Sequence, residues 1–136
     1  LSLVQGIKEN LIDVIVSDHI PEDEESKRLP FSQAATGAIG IETLLPLALE
    51  MHHNESLPLN KIIETLTINP AKILQINKGT LKKGSDGDIC VLDLDAPWIV
   101  KAEKLKSKSK NTAIEGRKLQ GKILMTFLNG ELVFNQ

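Results

Sequence analysis

Tyrosine is absent from this chain of 136 residues, tryptophan occurs once, and aromatic side chains make up only 3% of it. A core built from such a chain must be aliphatic. Cysteine occurs once, at Cys90, so no internal disulfide can form and no cysteine metal cluster exists. A reducing compartment is the direct expectation, and with no signal peptide visible a cytoplasmic location follows. No apolar run approaches the roughly 20 residues that a bilayer demands, so no membrane association is expected. Charge of one sign is also lacking. The formal net charge of −2 argues against a nucleic-acid binder driven by net charge. An initiator methionine is missing too: the chain opens on Leu1-Ser2-Leu3, and we expect it to be a piece of a longer polypeptide. What is present suffices for a core: 41% of the residues are apolar, in a length that suits a domain of ordinary size.

The stretch with most chemical promise is Asp13-Val-Ile-Val-Ser-Asp18-His19. Three of the four residues between the aspartates are apolar and β-branched, which predicts a short strand buried on both faces. A polar residue at the C-terminal tip of a strand is where a β/α barrel places catalytic groups. Asp18 is therefore the first candidate for chemistry. A plainer alternative is that Asp18 caps a turn before Pro21.

In chain order, Leu3, Val4, Ile7 and Leu11 recur at helical spacing and predict a helix over residues 2–11. Feeding the strand at 13–17, it forms half of an α/β unit. Residues 20–36 carry Pro21, Pro30 and four consecutive acids, and predict a loop with at most one helical turn, its charges solvated. Ile41, Leu44, Leu45, Ala48 and Met51 predict a helix kinked or restarted at Pro46. His52 and His53 near its end point in different directions, so helix C-terminal placement explains them better than metal binding. Leu59, Ile62, Ile63 and Leu66 form the stripe of another helix, broken at Asn69-Pro70. Pro70 then starts a short helix through Leu74.

Beyond Lys78 the character changes. Ile89–Leu92 and Trp98–Val100 read as two buried strands. Lys101, Lys104, Lys106, Lys108 and Lys110 form a basic stretch with no aromatic residue between them, which predicts a solvated face rather than a single-strand nucleic-acid site. Asn129-Gly130 joins 122–128 to 131–134 as a hairpin, since both turn residues tolerate positive φ. Residues 1–78 thus read as helical with one strand, and residues 79–136 as β-rich.

Read together, several segments resemble a known family. Ile15-Val-Ser-Asp18-His19-Ile-Pro21, Ser26-Lys-Arg-Leu-Pro-Phe31 and Gly37-Ala-Ile-Gly-Ile-Glu-Thr-Leu-Leu-Pro46 resemble the last barrel strand and following loop of a dihydroorotase. Thr67-Ile-Asn-Pro-Ala-Lys-Ile-Leu74, followed by Gly79 to Gly84 and Asp88 to Asp93, resembles the exit from the barrel in cyclic amidohydrolases generally. Ser107 to Thr112, with Gly116, Leu119 and Gly121, is again similar to dihydroorotase.

The resemblance implies an α/β architecture: the C-terminal end of a (β/α)8 barrel over residues 1–78, then a small β-rich domain, part of a composite β-sandwich, over 79–136. It implies an enzyme that interconverts N-carbamoyl-L-aspartate and L-dihydroorotate in pyrimidine biosynthesis. It further implies a zinc centre, usually binuclear, whose hydroxide attacks a ring amide. Asp18 carries over as metal ligand and proton shuttle, and the backbone at Thr36 and Gly37 as contact for the pyrimidine ring. Two positions depart from the family pattern. Glu22 stands where a histidine often binds the substrate carboxylate, so Lys27, Arg28 or an upstream residue must take that work, or the substrate differs. Thr36 stands where proline or phenylalanine is common. The family's other metal ligands lie on strands absent from this chain, so the chain alone is expected to be inactive and to self-associate. Two other functions are compatible: a hydantoin, dihydropyrimidine or allantoin hydrolase, and a non-catalytic homologue supporting aspartate transcarbamylase.

Overall fold

The computed structural model describes residues 3–136. Five helices come first: α1 (Leu3–Lys8), α2 (Glu24–Lys27), α3 (Leu44–His53), α4 (Leu59–Leu66) and α5 (Ile68–Ile73). Three strands follow, β1 (Ile89–Ile99), β2 (Lys118–Leu128) and β3 (Glu131–Asn135), with a 3-10 turn at Ala102–Lys104 between the first two. No described helix is long and apolar enough to cross a membrane.

The first helix is shorter than its apolar spacing predicts, and its predicted first residue, Ser2, lies outside the described residues. It ends because Asn10 turns left-handed, at φ 57°. The amide of Leu11 then reaches back to the Gly6 carbonyl at 2.8 Å and that of Asn10 to Ile7 at 3.2 Å, the paired closure of a Schellman motif. The third helix does not kink at Pro46. It starts at Leu44, which puts Pro46 in its first turn, where an amide would have no intrahelical partner. The break between α4 and α5 falls at Thr67 (φ −129°, ψ −83°), two residues before the predicted one. Pro70 is the third residue of α5 rather than its first, again within a turn that needs no donor.

The predicted strand at 13–17 is extended but is not a buried strand. It forms no ladder, Val16 is 71% exposed, and its backbone is tied in at two points: the Ile15 amide donates to the Thr65 carbonyl at 3.2 Å, and the Asp13 carbonyl accepts from Asn69 Nδ2 at 2.9 Å. A two-faced strand needs neighbours on both edges. Here the sole strand-like pairing is a parallel bridge from His19 to Ala38, which is itself followed by a bridge from Ile39 to Thr112.

In the second half, the two predicted strands merge into the single strand β1. Between the two predicted runs, Asp93 and Pro97 flank an irregularity in the register with β2. The Asp93 carboxylate accepts the amides of Asp95 and Ala96 at 3.0 and 3.1 Å, and β1 is a sheet edge, where proline is tolerated. Its first residues are exposed rather than buried. The hairpin forms as predicted: Asn129 (φ 52°) and Gly130 (φ 82°) turn β2 into β3.

Two apolar clusters hold the chain together. One gathers Ile7, Ala48, Leu57 and Ile62 from the helices. The other gathers Ile39, Val100, Leu105 and Leu119, with Leu47 of α3 against it, and so draws on both halves. Helix α3 lies between them. Its Leu49 is fully buried and occupies the space over Gly121, where a Cβ would come within 2.5 Å of it.

Candidate active site

Asp18 ends the extended segment in a left-handed conformation, φ 44°, which aspartate tolerates better than most residues. If it capped a turn, its carboxylate would take the amide two residues on. That amide, of Ile20, is given instead to the Ala38 carbonyl at 3.0 Å. The Asp18 side chain stands exposed beside an open groove of about 460 Å³, lined among others by Ser17, Gly37, Ile39, Leu44 and Ala113.

Residues 37–40 form the wall of that groove. Gly37 has φ +116°, and a Cβ there would lie 2.6 Å from Ile20, so no other residue fits without displacing Ile20. His19 holds the far end. Its Nδ1 accepts the amides of Gly40 (3.1 Å) and Ile41 (3.3 Å), which leaves the proton of the neutral ring on Nε2. Asp18 and Gly37 are thus brought together. Thr36 is exposed and not part of the groove lining.

Glu22 is half-buried. Its amide donates to Asn111 Oδ1 at 3.4 Å, and its carbonyl accepts from the Ser109 hydroxyl. Neither cation suggested as a substitute for the missing histidine is free. Lys27 Nζ donates to the carbonyls of Ala35 (2.6 Å) and Gly37 (2.9 Å), and Arg28 pairs with Glu24. Lys27 is therefore not simply solvated, because two carbonyls of its own loop need a donor.

Among the described residues, no three histidine, cysteine, aspartate or glutamate side chains converge. Asp18 is a single donor, whereas zinc takes three or more protein ligands, so these residues alone do not make a zinc site. His52 and His53 sit in the last turn of α3, their ring centroids 5.6 Å apart and their planes inclined by 44°.

Residue-by-residue reading of the sequence missed Asn111, Ser109 and Glu42. Glu42 accepts the amides of Lys106 and Ser107 at 2.9 and 3.0 Å, pinning the lysine-rich loop beside the groove. A signal for them exists. From Lys106 to Asn111 exposed lysines alternate with half-buried Ser107, Ser109 and Asn111, the two-residue period of an extended segment with one inward face.

An extended segment ending in a carboxylate over a glycine-walled groove, on an α/β scaffold, fits a class of hydrolases. Residues 2–133 match the Amidohydrolase family, and the chain belongs to it. Its relatives include the dihydroorotase of Ehrlichia chaffeensis, 42% identical over 98% of this chain and 30% of that protein. The dihydroorotase of Aquifex aeolicus is 41% identical over 98% and 32%. Among solved structures, dihydropyrimidinase from Brevibacillus agri superposes with a TM-score of 0.92 at 23% identity, over 98% of this chain and 30% of that one. L-Hydantoinase from Arthrobacter aurescens does so with a TM-score of 0.86 at 35% identity, over 98% and 31%. The first of these shows the fold alone. The chain spans about a third of the length of the proteins it matches.

Proposed function

We propose that this chain is the C-terminal portion of a dihydroorotase, which interconverts N-carbamoyl-L-aspartate and L-dihydroorotate. Residues 1–78 would close the (β/α)8 barrel and residues 79–136 supply its β-rich domain. The observation that carries this reading is Asp18, an exposed carboxylate facing the glycine wall of a groove, in a chain about 40% identical to dihydroorotases over nearly its whole length. Zinc, when bound in the whole protein, supplies the activated water, with its remaining ligands from outside this chain. Within the chain, Asp18 holds the proton released at the nucleophile and returns it to the departing ring nitrogen. The groove wall at 37–40 orients the ring. The isolated chain lacks the other ligands and does not turn over.

A second reading keeps the chemistry and changes the ring to a neutral one, hydantoin or dihydrouracil. The hydantoinase match at 35% identity favours it, as does Glu22, whose carboxylate repels an anionic substrate.

The test is ring hydrolysis by the full-length protein and its Asp18→Ala variant on L-dihydroorotate, dihydrouracil and hydantoin. The first reading expects dihydroorotate turnover that falls by about 10²-fold or more in the variant. Turnover of neutral rings only would move the function to the second reading. Hydrolysis of none of the three would overturn both.

A further inference from the structure

The groove wall that faces Asp18 has almost no side-chain bulk with which to hold itself. It runs Gly37-Ala38-Ile39-Gly40, and its shape depends on who binds its backbone. The His19 ring takes the far end and the Ile20 amide the middle, as described above. The near end is held by Asn111, 74 positions away in sequence. Its Nδ2 donates to the Gly37 carbonyl at 3.3 Å, and its own carbonyl accepts the Ile39 amide at 3.3 Å. Its Oδ1 meanwhile accepts the Glu22 amide and shares the single Ser109 hydroxyl proton with the Glu22 carbonyl. One planar amide thus ties three segments: the loop after Asp18, the groove wall and the lysine-rich loop. Asparagine suits this task because it donates and accepts from the same rigid group.

Lys27 is the partner in this arrangement. Its ammonium is the second donor to the Gly37 carbonyl, at 2.9 Å, so both lone pairs of that oxygen are filled. At φ +116° and without a Cβ, Gly37 has no side chain with which to orient its own peptide.

We infer that Asn111 and Lys27 are positioning residues for ring binding: together they hold the Gly37 peptide so that the groove wall keeps one shape opposite Asp18. Neither touches the reacting atoms. The inference rests on the groove being the ring site of the proposed hydrolase.

The experiment uses the full-length protein, with Asn111→Ala, the near-isosteric Asn111→Asp, Lys27→Met and Lys27→Arg. Steady-state kinetics on the ring that the protein hydrolyses are paired with backbone amide exchange followed by mass spectrometry. Asn111→Ala is expected to raise KM about tenfold, the scale of one lost hydrogen bond to a half-buried carbonyl, with kcat changed less than about threefold. Exchange should quicken across 36–40 and stay unchanged in the 118–135 hairpin. Asn111→Asp sets a carboxylate against the Gly37 carbonyl and should match or exceed this. Lys27→Met should act in the same direction and Lys27→Arg should restore the parent values. Unchanged exchange at 36–40, a loss in kcat alone, or faster exchange in the hairpin as well would overturn the inference. If the protein hydrolyses no ring, the proposed function fails, while the exchange data still decide whether these two residues hold the wall.

Discussion

Two extended stretches of this chain have opposite relations to their surroundings. The hairpin of β2 and β3 carries its own turn and pairs strand to strand, and β1 completes its sheet. The segment from Ile12 to His19 carries the most reactive-looking side chain, yet its backbone is held by scattered bonds, to Gly6, Thr65 and the Asn69 side chain, and by one bridge to the groove wall. The self-sufficient element has no chemistry, and the element with chemistry is not self-sufficient. The physical reason lies in the pairing type. An antiparallel hairpin closes through a two-residue turn, whereas a parallel strand takes its neighbours from distant parts of a chain.

The contrast can be broken most decisively by size. Val16, Leu132 and Val133 are 71, 52 and 57% exposed, and β3 is a bare edge without proline or lysine. Such surfaces recruit other strands, so the isolated chain is expected to run as a dimer or larger in sedimentation or solution scattering. A sharp monomer would show that the open segment needs no neighbour.

Stability effects should then separate the two regions. Ile62 is fully buried in the helical cluster, and Ile62→Ala should cost about 2–5 kcal/mol. In the hairpin, Gly130→Ala forces a side chain into φ 82° and should cost about 1 kcal/mol. Chemical denaturation of both variants checks the order, and a costlier turn than core would invert the comparison.

The smallest effect concerns the joint between the halves. Lys78 bridges Asp86 and Asp88, each at 2.6 Å. The Asn129 amide, and then Lys78, hold the Asp88 carboxyl below its usual 3.8. Asp86, and then Asp88, raise Lys78 above its usual 10.5. The Asp88 contribution is therefore full above pH 3.8 and is lost as pH falls through its lowered pKa. The Lys78 contribution is full below pH 10.5 and is lost as pH rises through its raised one. Solvent screens both groups, so the effect is slight. Melting curves between about pH 2 and pH 6 should fall less steeply for Asp88→Asn than for the parent.

The features legible in the sequence were those that neighbouring residues decide. Asn129-Gly130 dictates its hairpin through local φ preferences, and the helical stripe of α4 places Ile62 inward. Asp18 was legible as a candidate because a carboxylate after a β-branched run is a local pattern. The errors arose wherever a distant partner overrode a local preference. Two strands are expected over 89–100 where one forms, because the tolerance of Pro97 on an edge strand depends on where β2 lies. Lys27 read as solvated because the carbonyls of Ala35 and Gly37 come to it only when the loop folds back.

The sequence by itself thus determined the helices, the hairpin, the family and the carboxylate at Asp18, all of which rest on contacts within a few residues or on motifs quoted whole. Only the tertiary structure decided what stands around that carboxylate. The wall of Gly37 to Gly40, the clamp by Asn111 and the commitment of Lys27 join residues 8 to 89 positions apart. Such contacts form because burying the two apolar clusters brings the loops together, and hydrogen bonds then settle how their backbones face.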